Sequence, residues 1–343
     1  MLHDDDLLNT GRKLVFYGAG NYAREFTQRH CIDKRHLRLP DYVCDRDAKK
    51  WGTEFFGVPI RSPDLLLQEP EDGVVVVVTT SPFAVLGDAC SRLYYYDFYA
   101  AEALEIRFML SERGATEVDR VRTALADDKS RHVFDTLLRG QAQGQIWFRD
   151  IYEPHPYFGN DVVPSLPDGE ALVDAGAYLG AHIAAFANVN PNFRAVYAFE
   201  PYRPHFETLT RRFAQDLRVR TFAQGLFDRS SRVAFWDGNP TGAHVVPTAE
   251  DSATAAIEVV RLDDAVADDV TYIKMDIEGA ELNALAGAAA VIRRNRPKLA
   301  ICVYHRADDY LDIPRIIHDL RPDYRLFLRH HSCFRFDTVL YAV

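Results

Sequence analysis

The stretch "VDAGAYLGAHIAAFA", at positions 173–187, joins the end of an apolar strand to a helical run through two glycines. The strand ends at Asp174, and Gly176 and Gly180 form the turn. Glycine-rich turns between a strand and a helix are typical of Rossmann-like units, in which the turn and the helix N-terminus approach a ligand. The stretch therefore predicts a parallel α/β sheet with a binding site at this turn.

The composition is that of an ordinary globular chain. It has 343 residues, of which 48% are hydrophobic, and this length suggests about two domains. The formal charge of −10 disfavours nucleic acid and anionic membranes and leaves a small molecule as the expected partner. The longest apolar runs, such as "VVVVV" at 74–78, are far shorter than the ~20 residues of a membrane span.

Cysteine usage and the first residues predict a cytoplasmic protein. The beginning, "MLHDDDLLNTGRK", carries acids before any apolar stretch and does not read as a signal peptide. A scattered, odd set of cysteines without a CxxC pair indicates reduced thiols rather than a disulfide scaffold or a zinc site. These residues are Cys31, Cys44, Cys90, Cys302 and Cys333.

Residues 1–104 read as a first α/β unit. The apolar strand "KLVFY" ends at "GAGNYA", a helical stretch follows, and "DYVCD" and "GVVVVVTTS" read as further strands. Alternating strands and helices predict a parallel sheet with right-handed crossovers.

Residues 105–156 read as a helical linker and an irregular lead-in. Apolar residues such as Val133, Phe134, Leu137 and Leu138 recur at helical spacing, and Gly140 is interpreted as the helix end. One interpretation is a connector packed on its neighbours, and the other is a dimerisation element of a homo-oligomer. The four prolines of "YEPHPYFGNDVVPSLPDGE" predict irregular structure.

Residues 157–343 read as a second α/β unit. Its predicted strands are "ALVD", "AVYAFE", "RVRTF", "VTYIKMD", "KLAICVY", "YRLFLR" and "TVLYAV". No helix is evident between the last two, which predicts an antiparallel edge. The expected fold class is α/β, with two Rossmann-like units in tandem joined by a helical linker.

Acidic residues accompany the glycine turn of the second unit. A carboxylate at Asp174 would repel a pyrophosphate but suits a cationic ligand, and Glu200 ends the next strand, where an acid can bind both hydroxyls of a ribose. S-adenosylmethionine carries an ammonium and a sulfonium group and no phosphate, so it matches this pattern. NAD or an empty turn is the alternative. The predicted cofactor contacts are Asp174, Gly176, Ala177, Gly180, Glu200 and Gln224.

The first unit has a glycine turn of its own, Gly18-Ala19-Gly20. Such a turn lets backbone amides approach an anion, and Asp45 at the end of the next strand could accept a ribose hydroxyl. A nucleotide or a nucleotide sugar is therefore the predicted ligand of a second site at Gly18, Gly20 and Asp45. The alternative is a tight turn that binds nothing.

The strand "VTYIKM" runs into three carboxylates, Asp276, Glu278 and Glu281. Asp276 is expected at the carboxyl edge of the sheet, and the next strand delivers His305 to the same edge. An imidazole with a carboxylate partner can act as a base on a substrate hydroxyl, so His305 and Asp276 are the predicted catalytic pair. Glu281 is interpreted as a favourable charge in the first turn of a helix.

These features together resemble the FkbM family of S-adenosylmethionine-dependent methyltransferases. The matching segments are "HPYFGNDVV", "VDAGAYLG", "YAFEP", "IKMDIEGAELNALAGA", "KLAICVYHRADDYLDIP" and "LRHHSCFRFDTVLYAV". The resemblance implies a class I methyltransferase fold and O-methylation of a hydroxyl on a saccharide, glycan or related natural product. It also implies that Asp276 and His305 face the acceptor. The cofactor contacts that it implies are Asp174, Gly176, Gly180 and Glu200.

The first unit is similar to the small Rossmann-type domain that precedes sugar acyltransferases and some sugar-modifying enzymes. The matching features are "VFYGAGNYAREF", "VCDRD", "GVPIRSPDLL" and "VVVVVTTS". This similarity implies a nucleotide-sugar or regulatory nucleotide ligand, and it favours a saccharide as the acceptor.

Other functions fit parts of the sequence. A nucleotide-binding regulator or scaffold would retain the first site and an inactive methyltransferase domain. An NAD-dependent sugar oxidoreductase would rest on the first glycine turn, near which no Tyr-x-x-x-Lys pattern occurs. Asp276 with Glu278 or Glu281 could also hold Mg²⁺, although His305 is not the hard oxygen ligand that this ion prefers. The expected site therefore contains no metal.

Overall fold

The computed structural model describes residues 11–70, 72–80, 97–236, 244–245 and 255–343. The chain divides into two compact units, the first comprising Met1–Glu112 and Gln141–Gly144 and the second Arg113–Gly140 and Gln145–Val343. The functional domain limits at residues 104 and 156 remain predictions. Cys90 and the first ten residues, both used in the sequence analysis, lie outside the described ranges.

A six-stranded sheet forms the first unit. Its strands are β1 (Lys13–Tyr17), β2 (Tyr42–Cys44), β3 (Glu54–Phe55), β4 (Val58–Arg61), β5 (Val74–Val78) and β6 (Asp97–Ala100). The order is β3-β4-β2-β1-β5-β6, and every pair is parallel except β3 with β4. Helix α1 (Asn21–Thr27) follows β1. All five valines of β5 are buried, as a strand covered on both faces requires.

Two helices occupy the predicted helical segment, α2 (Ala101–Ala124) and α3 (Asp128–Ala142). Helix α2 is interrupted at Gly114, whose φ of 73° and ψ of 162° are not helical. Helix α3 buries its apolar face as the spacing predicts, but it continues two residues past Gly140, so the predicted helix end is wrong. The two helices confirm the helical character of this segment, and its role as a linker remains a prediction.

The remaining elements belong to the second unit. Its strands are β7 (Ala171–Ala175), β8 (Ala195–Phe199), β9 (Val219–Phe222), β10 (Gly225–Leu226), β11 (Ser231–Trp236), β12 (His244–Val245), β13 (Ala255–Val260), β14 (Tyr272–Met275), β15 (Lys298–Cys302), β16 (Leu326–His330) and β17 (Thr338–Ala342). Its helices are α4 (Ala181–Val189), α5 (Arg203–Arg212), α6 (Leu262–Ala265), α7 (Glu281–Gly287), α8 (Ala289–Asn295) and α9 (Asp309–Leu320).

A seven-stranded sheet is the core of the second unit, with the order β16-β17-β15-β14-β7-β8-β9. Strands β7, β8, β9, β14 and β15 are parallel, whereas β17 is antiparallel to both β15 and β16. The predicted antiparallel edge is therefore confirmed. After β7 the chain turns to β8 and β9 on one side, and β14 and β15 later fill the other side. This reversal between β7 and β14 is a topological switch point, outside which ligands bind.

Three features of the second unit were missed or simplified. A second sheet of four strands, in the order β10-β13-β11-β12, is inserted between β9 and β14, and α9 follows β15. The helix predicted over "GAELNALAGAAAVIRRN" is two helices, α7 and α8. Gly287 ends α7 at a close approach, because a Cβ atom there would lie 1.9 Å from the carbonyl oxygen of Phe227.

No helix in the described part of the chain combines the length and the apolar sequence that a membrane span needs.

Candidate active site

A cavity of about 310 Å³ opens at the carboxyl edge of the seven-stranded sheet. Gly176 follows β7, Glu200 follows β8 and Asp276 follows β14, and all three residues line the cavity. The cavity thus lies at the switch point of the sheet. Its volume is at the lower end of the ~300–1,000 Å³ that small-molecule pockets occupy.

Glycine is required twice in the turn after β7. Gly176 has a φ of +73°, and a Cβ atom there would lie 1.9 Å from the backbone oxygen of Asp276. Gly180 has a φ of +77°, and a Cβ atom there would lie 2.4 Å from the ring of Phe213. Gly176 and the next residue, Ala177, line the cavity, whereas Gly180 is not among its described lining residues.

Asp174 lies beneath the cavity and does not line it. It is fully buried, and its carboxylate is 3.0 Å from the ammonium nitrogen of Lys274 in the adjacent strand. Lys274 also donates to the carbonyl oxygen of Gly176 at 2.9 Å. Burial alone would lower the pKa of Lys274, but the carboxylates of Asp174 and Asp276 outweigh it and raise that pKa. The ion pair therefore fixes the glycine turn from below.

Glu200 presents its carboxylate to the cavity from the end of β8. One oxygen accepts a hydrogen bond from the amide of Tyr178 and the other from the amide of Tyr202, both at 2.9 Å. Burial raises the pKa of Glu200, although these amide hydrogen bonds oppose the rise. Because a carboxylate offers about four acceptor positions and two are used, Glu200 retains capacity for a ligand with hydroxyl groups.

Asp276 is the second carboxylate in the cavity. The hydroxyl of Tyr304 donates to Oδ1 at 3.1 Å and that of Tyr157 to Oδ2 at 3.2 Å. Burial would raise the pKa of Asp276, but the charges of Lys274 and His305 outweigh burial and lower it. The carboxylate is therefore ionised at neutral pH and held from two sides.

His305 is behind Asp276 and is not among the described lining residues. Its Nε2 is 3.4 Å from Asp276 and 3.8 Å from Glu278, and its Nδ1 is 2.9 Å from Glu281. Burial would lower the pKa of His305, but the three carboxylates, Glu281 first, raise it to about 10. At neutral pH the imidazole is therefore charged and has no free lone pair with which to accept a proton.

Two residues that line the cavity adopt left-handed backbone conformations. Tyr178 has a φ of 49° and Glu278 a φ of 55°, and each lies in a loop at the carboxyl edge. Non-glycine residues in this region cost roughly 1–3 kcal/mol and cluster at functional sites. Their position supports a functional role for this edge of the sheet.

Several cavity residues were not predicted. Tyr178, Tyr202 and His205 surround Glu200, with the ring centroids of the tyrosines 4.3 and 4.6 Å from that of His205. The clustering of aromatic residues after Glu200, in "EPYRPH", was the available signal. His182 also lines the cavity and packs edge-on against Tyr157 at 4.7 Å, and burial lowers the pKa of His182.

One wall of the cavity is apolar and comes mainly from the inserted four-stranded sheet. The residues of this wall are Leu226, Phe235, Ile257 and Val259, with Ala280 from the loop before α7. Gln224 lies in the turn before β10, and its neighbour Gly225, not Gln224, lines the cavity. The wall thus adds an apolar surface to a cavity that also contains carboxylates.

The cavity carries negative charge. Its described lining includes Glu200, Asp276 and Glu278 but no lysine or arginine. Within the same described ranges, no group of three or more His, Cys, Asp or Glu side chains has an arrangement that could hold a metal ion. A cationic organic ligand is therefore better matched than a pyrophosphate.

In the first unit, Asp45 is engaged within the protein. Its Oδ2 accepts from the amide of Ala19 at 2.8 Å and from the ammonium of Lys50 at 2.9 Å, and its Oδ1 accepts from the amide of Asp47. Burial opposes these contacts, but Lys50 and the amides lower the pKa of Asp45. Asp45 therefore holds the turn between Gly18 and Gly20 in place, and a nucleotide site there remains a prediction.

Comparison with known proteins gives a family match within the second unit. Residues 174–326 match the family model described as "Methyltransferase FkbM domain". The crystal structure of methyltransferase FkbM from Methylobacillus flagellatus KT is 26% identical with a TM-score of 0.63, and the alignment covers 97% of this chain and 90% of that chain. The predicted resemblance to the FkbM methyltransferases is confirmed.

Other likenesses are more distant. An rRNA methylase from Streptococcus thermophilus is 16% identical with a TM-score of 0.35, over 52% of this chain and 88% of that chain. Such a likeness supports no statement about function. A search of curated proteins gave no significant match.

Proposed function

We propose that the protein transfers a methyl group from S-adenosylmethionine to a hydroxyl of a saccharide or related natural product. The observation that carries the proposal is that two carboxylates, Glu200 and Asp276, face one cavity at the switch point. This arrangement lies within the segment that matches the FkbM methyltransferase domain.

The cavity suits S-adenosylmethionine in three respects. Glu200 has unused acceptor capacity for ribose hydroxyls. The apolar wall formed by Leu226, Phe235, Ile257 and Val259 suits an adenine ring. The negative charge of the lining favours the sulfonium and ammonium groups and disfavours the pyrophosphate of NAD. Asp174, paired with Lys274, contributes through the shape of the glycine turn rather than through contact.

When bound, S-adenosylmethionine supplies an electrophilic methyl group. Asp276 is the residue that we assign to the acceptor hydroxyl, because it is ionised and partly open to the cavity. The methyl–sulfur bond would break as the oxygen–methyl bond forms, leaving S-adenosylhomocysteine, and the Asp276 carboxylate would accept the proton that the hydroxyl loses. Tyr157 and Tyr304 keep that carboxylate aimed at the cavity. Proximity and alignment supply the remainder of the rate increase.

The assignment of the base differs from the sequence-based hypothesis. His305 was the predicted base, but its contacts with three carboxylates favour the charged form, which donates rather than accepts. We therefore propose that Asp276 accepts the proton and that His305 supports its charge. The pairing of the two residues is retained, with the roles exchanged.

A saccharide is proposed as the acceptor because the first unit is similar to domains of sugar-modifying enzymes. A nucleotide or nucleotide sugar at Gly18, Gly20 and Asp45 would then be a regulatory or substrate-presenting ligand. Cytoplasmic location and self-association through the helical segment belong to the same proposal. Each of these is separable from methyl transfer.

Calorimetric titration tests the proposal. We expect saturable binding of S-adenosylmethionine and of its demethylated product at one site, and no competing binding of NAD in the same cavity. Titration with a nucleotide sugar reports on the first unit separately. Binding of NAD in place of S-adenosylmethionine would favour an oxidoreductase, and absence of both would favour a regulator or scaffold.

A further inference from the structure

Glu281 has an environment that a helix-terminal charge does not explain. Although it begins α7, its side chain is fully buried. Its Oε1 accepts from the backbone amide of Ile277 at 2.9 Å and is 2.9 Å from Nδ1 of His305. A carboxylate oxygen this close to Nδ1 favours a hydrogen on that nitrogen.

The other ring nitrogen of His305 also faces acceptors. Nε2 is 3.4 Å from Asp276 and 3.8 Å from Glu278. An imidazole with carboxylates on both sides is favoured in its doubly protonated form. The geometry therefore indicates an imidazolium between two carboxylates.

We propose that Glu281 is a positioning residue that holds His305 as an imidazolium, so that the Nε2 hydrogen of His305 faces and orients Asp276. The same carboxylate, through the amide of Ile277, fixes the loop that follows Asp276. The value of this arrangement for catalysis rests on the proposed function, whereas the arrangement itself does not.

Other charges around His305 are consistent with this assignment. Asp309 on α9 accepts from the amide of Arg306, and burial together with the charge of Glu281 raises the pKa of Asp309, which favours its neutral form. Asp337 on the loop after β16 also has a raised pKa because it is buried. The buried Lys274 also lowers the pKa of Asp276 through its charge, and Arg306 is exposed. Thus Glu281 is the main anion at Nδ1.

The test is nuclear magnetic resonance of the full chain labelled with ¹⁵N in its 12 histidines. The spectrum of H305Q identifies the His305 signals. In the wild type we expect both ring nitrogens of His305 to remain protonated from about pH 6 to pH 8, above the ordinary midpoint near 6.5. A neutral His305 at pH 7 in the wild type would overturn the proposal without any variant.

Glu281→Gln tests the origin of the charge. It preserves the shape of the side chain but removes the anion, and the midpoint of His305 should fall by about one pH unit or more, a tenfold change in proton affinity. Glu207→Gln is the control, since Glu207 is exposed on α5 and pairs with Arg203. An unchanged midpoint in folded Glu281→Gln would also overturn the proposal.

Calorimetry with S-adenosylmethionine on the same samples separates this inference from the proposed function. Failure of the wild type to bind S-adenosylmethionine would remove the proposed function and leave the titration of His305 to be judged separately. A neutral His305 in a wild type that binds S-adenosylmethionine normally would remove this inference and leave the proposed function in place.

Discussion

Glu200 is the residue at which the cofactor assignment is most directly tested. Glu200 lines the described cavity from the end of β8. A hydrogen bond to a charged group contributes roughly 1.5–3 kcal/mol to the free energy of binding. Glu200→Ala should therefore weaken S-adenosylmethionine binding at least about tenfold in calorimetric titration. The exposed Glu207→Ala is the matched control and should bind as the wild type does. Equal affinity in a folded Glu200→Ala protein would remove Glu200 from the site.

Asp276 gives the complementary residue-scale prediction. Asp276→Asn keeps the size of the side chain but cannot take up a proton, so methyl transfer to an acceptor should fall about 10²-fold or more, as for loss of a general base. S-adenosylmethionine affinity should stay within a few fold, because Glu200 is unchanged. Radiolabelled methyl transfer and calorimetry measure the two effects. If Asp276→Asn retains methyl transfer, another residue must act as the base.

At the residue scale the sequence allowed Glu200 and Asp276 to be placed, because both come directly after apolar strands. It did not reveal the charge of His305. That charge depends on Glu281 and Glu278, whose side chains approach the ring only in three dimensions. No role could be assigned to Lys274 from the sequence, for a similar reason. Lys274 lies inside an apolar strand, and its pairing with Asp174 depends on the register between β7 and β14.

Among the structural elements, the turn after β7 is tested by paired glycine substitutions. Gly169 and Gly176 both have positive φ, 80° and 73°, but nothing lies within 4 Å of a Cβ atom at Gly169. Gly169→Ala should lower the free energy of unfolding, measured with urea, only by the cost of a left-handed backbone for alanine, roughly 1–2 kcal/mol. Gly176→Ala also meets the Asp276 backbone oxygen at 1.9 Å, so it should destabilise more and abolish S-adenosylmethionine binding. Similar behaviour of the two variants would contradict the close approach of these loops.

The contact between α3 and β16 predicts a dependence of stability on pH. Burial opposes the effect, but hydrogen bonds from Arg329 and Ser130 lower the pKa of Asp127 to about 2. An aspartate with a lowered folded pKa stabilises the protein above its unfolded pKa of about 3.9 and loses that contribution as pH falls toward 2. Asp127→Asn should flatten this part of the curve of unfolding free energy against pH. Asp128→Asn, at a fully exposed side chain, should leave it unchanged.

The inserted four-stranded sheet shows why some elements escaped sequence analysis. Strands β10 and β12 have two residues each, too few for an alternating pattern, and β13 alternates only in "IEV". By contrast, β5, β7 and β8 are wholly buried and read as continuous apolar runs. Long buried strands could therefore be predicted, whereas short strands that pair within an insertion could not.

For the whole molecule, the division of labour predicts that the second unit binds the cofactor alone. A chain that begins at Arg113, where the second unit starts, keeps Asp127 and Ser130 beside the buried Arg329. A chain that begins at Tyr157 loses both and leaves Arg329 with Asp161. We expect the longer fragment to fold and to bind S-adenosylmethionine within a few fold of the full chain, and the shorter one to unfold at lower urea. A well-folded longer fragment that binds no cofactor would contradict the proposed division.

At this scale the order of elements could be predicted more completely than their limits. Two α/β units and the antiparallel edge follow from apolar periodicity and were confirmed by the sheet orders. The helical segment also follows from periodicity and was confirmed by helices α2 and α3. The limit between the compact units was not foreseen, because it falls inside α2, next to the interruption at Gly114, where the sequence remains helical on both sides.

The insertion between β9 and β14 separates two tasks within one cavity. The parallel sheet supplies Glu200 and Asp276, while the apolar wall comes from the segment inserted between the edge strand β9 and the inner strand β14. Changes in this segment can alter the fit of the adenine ring without disturbing the strands that hold the carboxylates. We therefore expect evolutionary differences in cofactor affinity to concentrate in residues 225–260, and chimeras that exchange this segment to change that affinity while they retain Glu200 and Asp276.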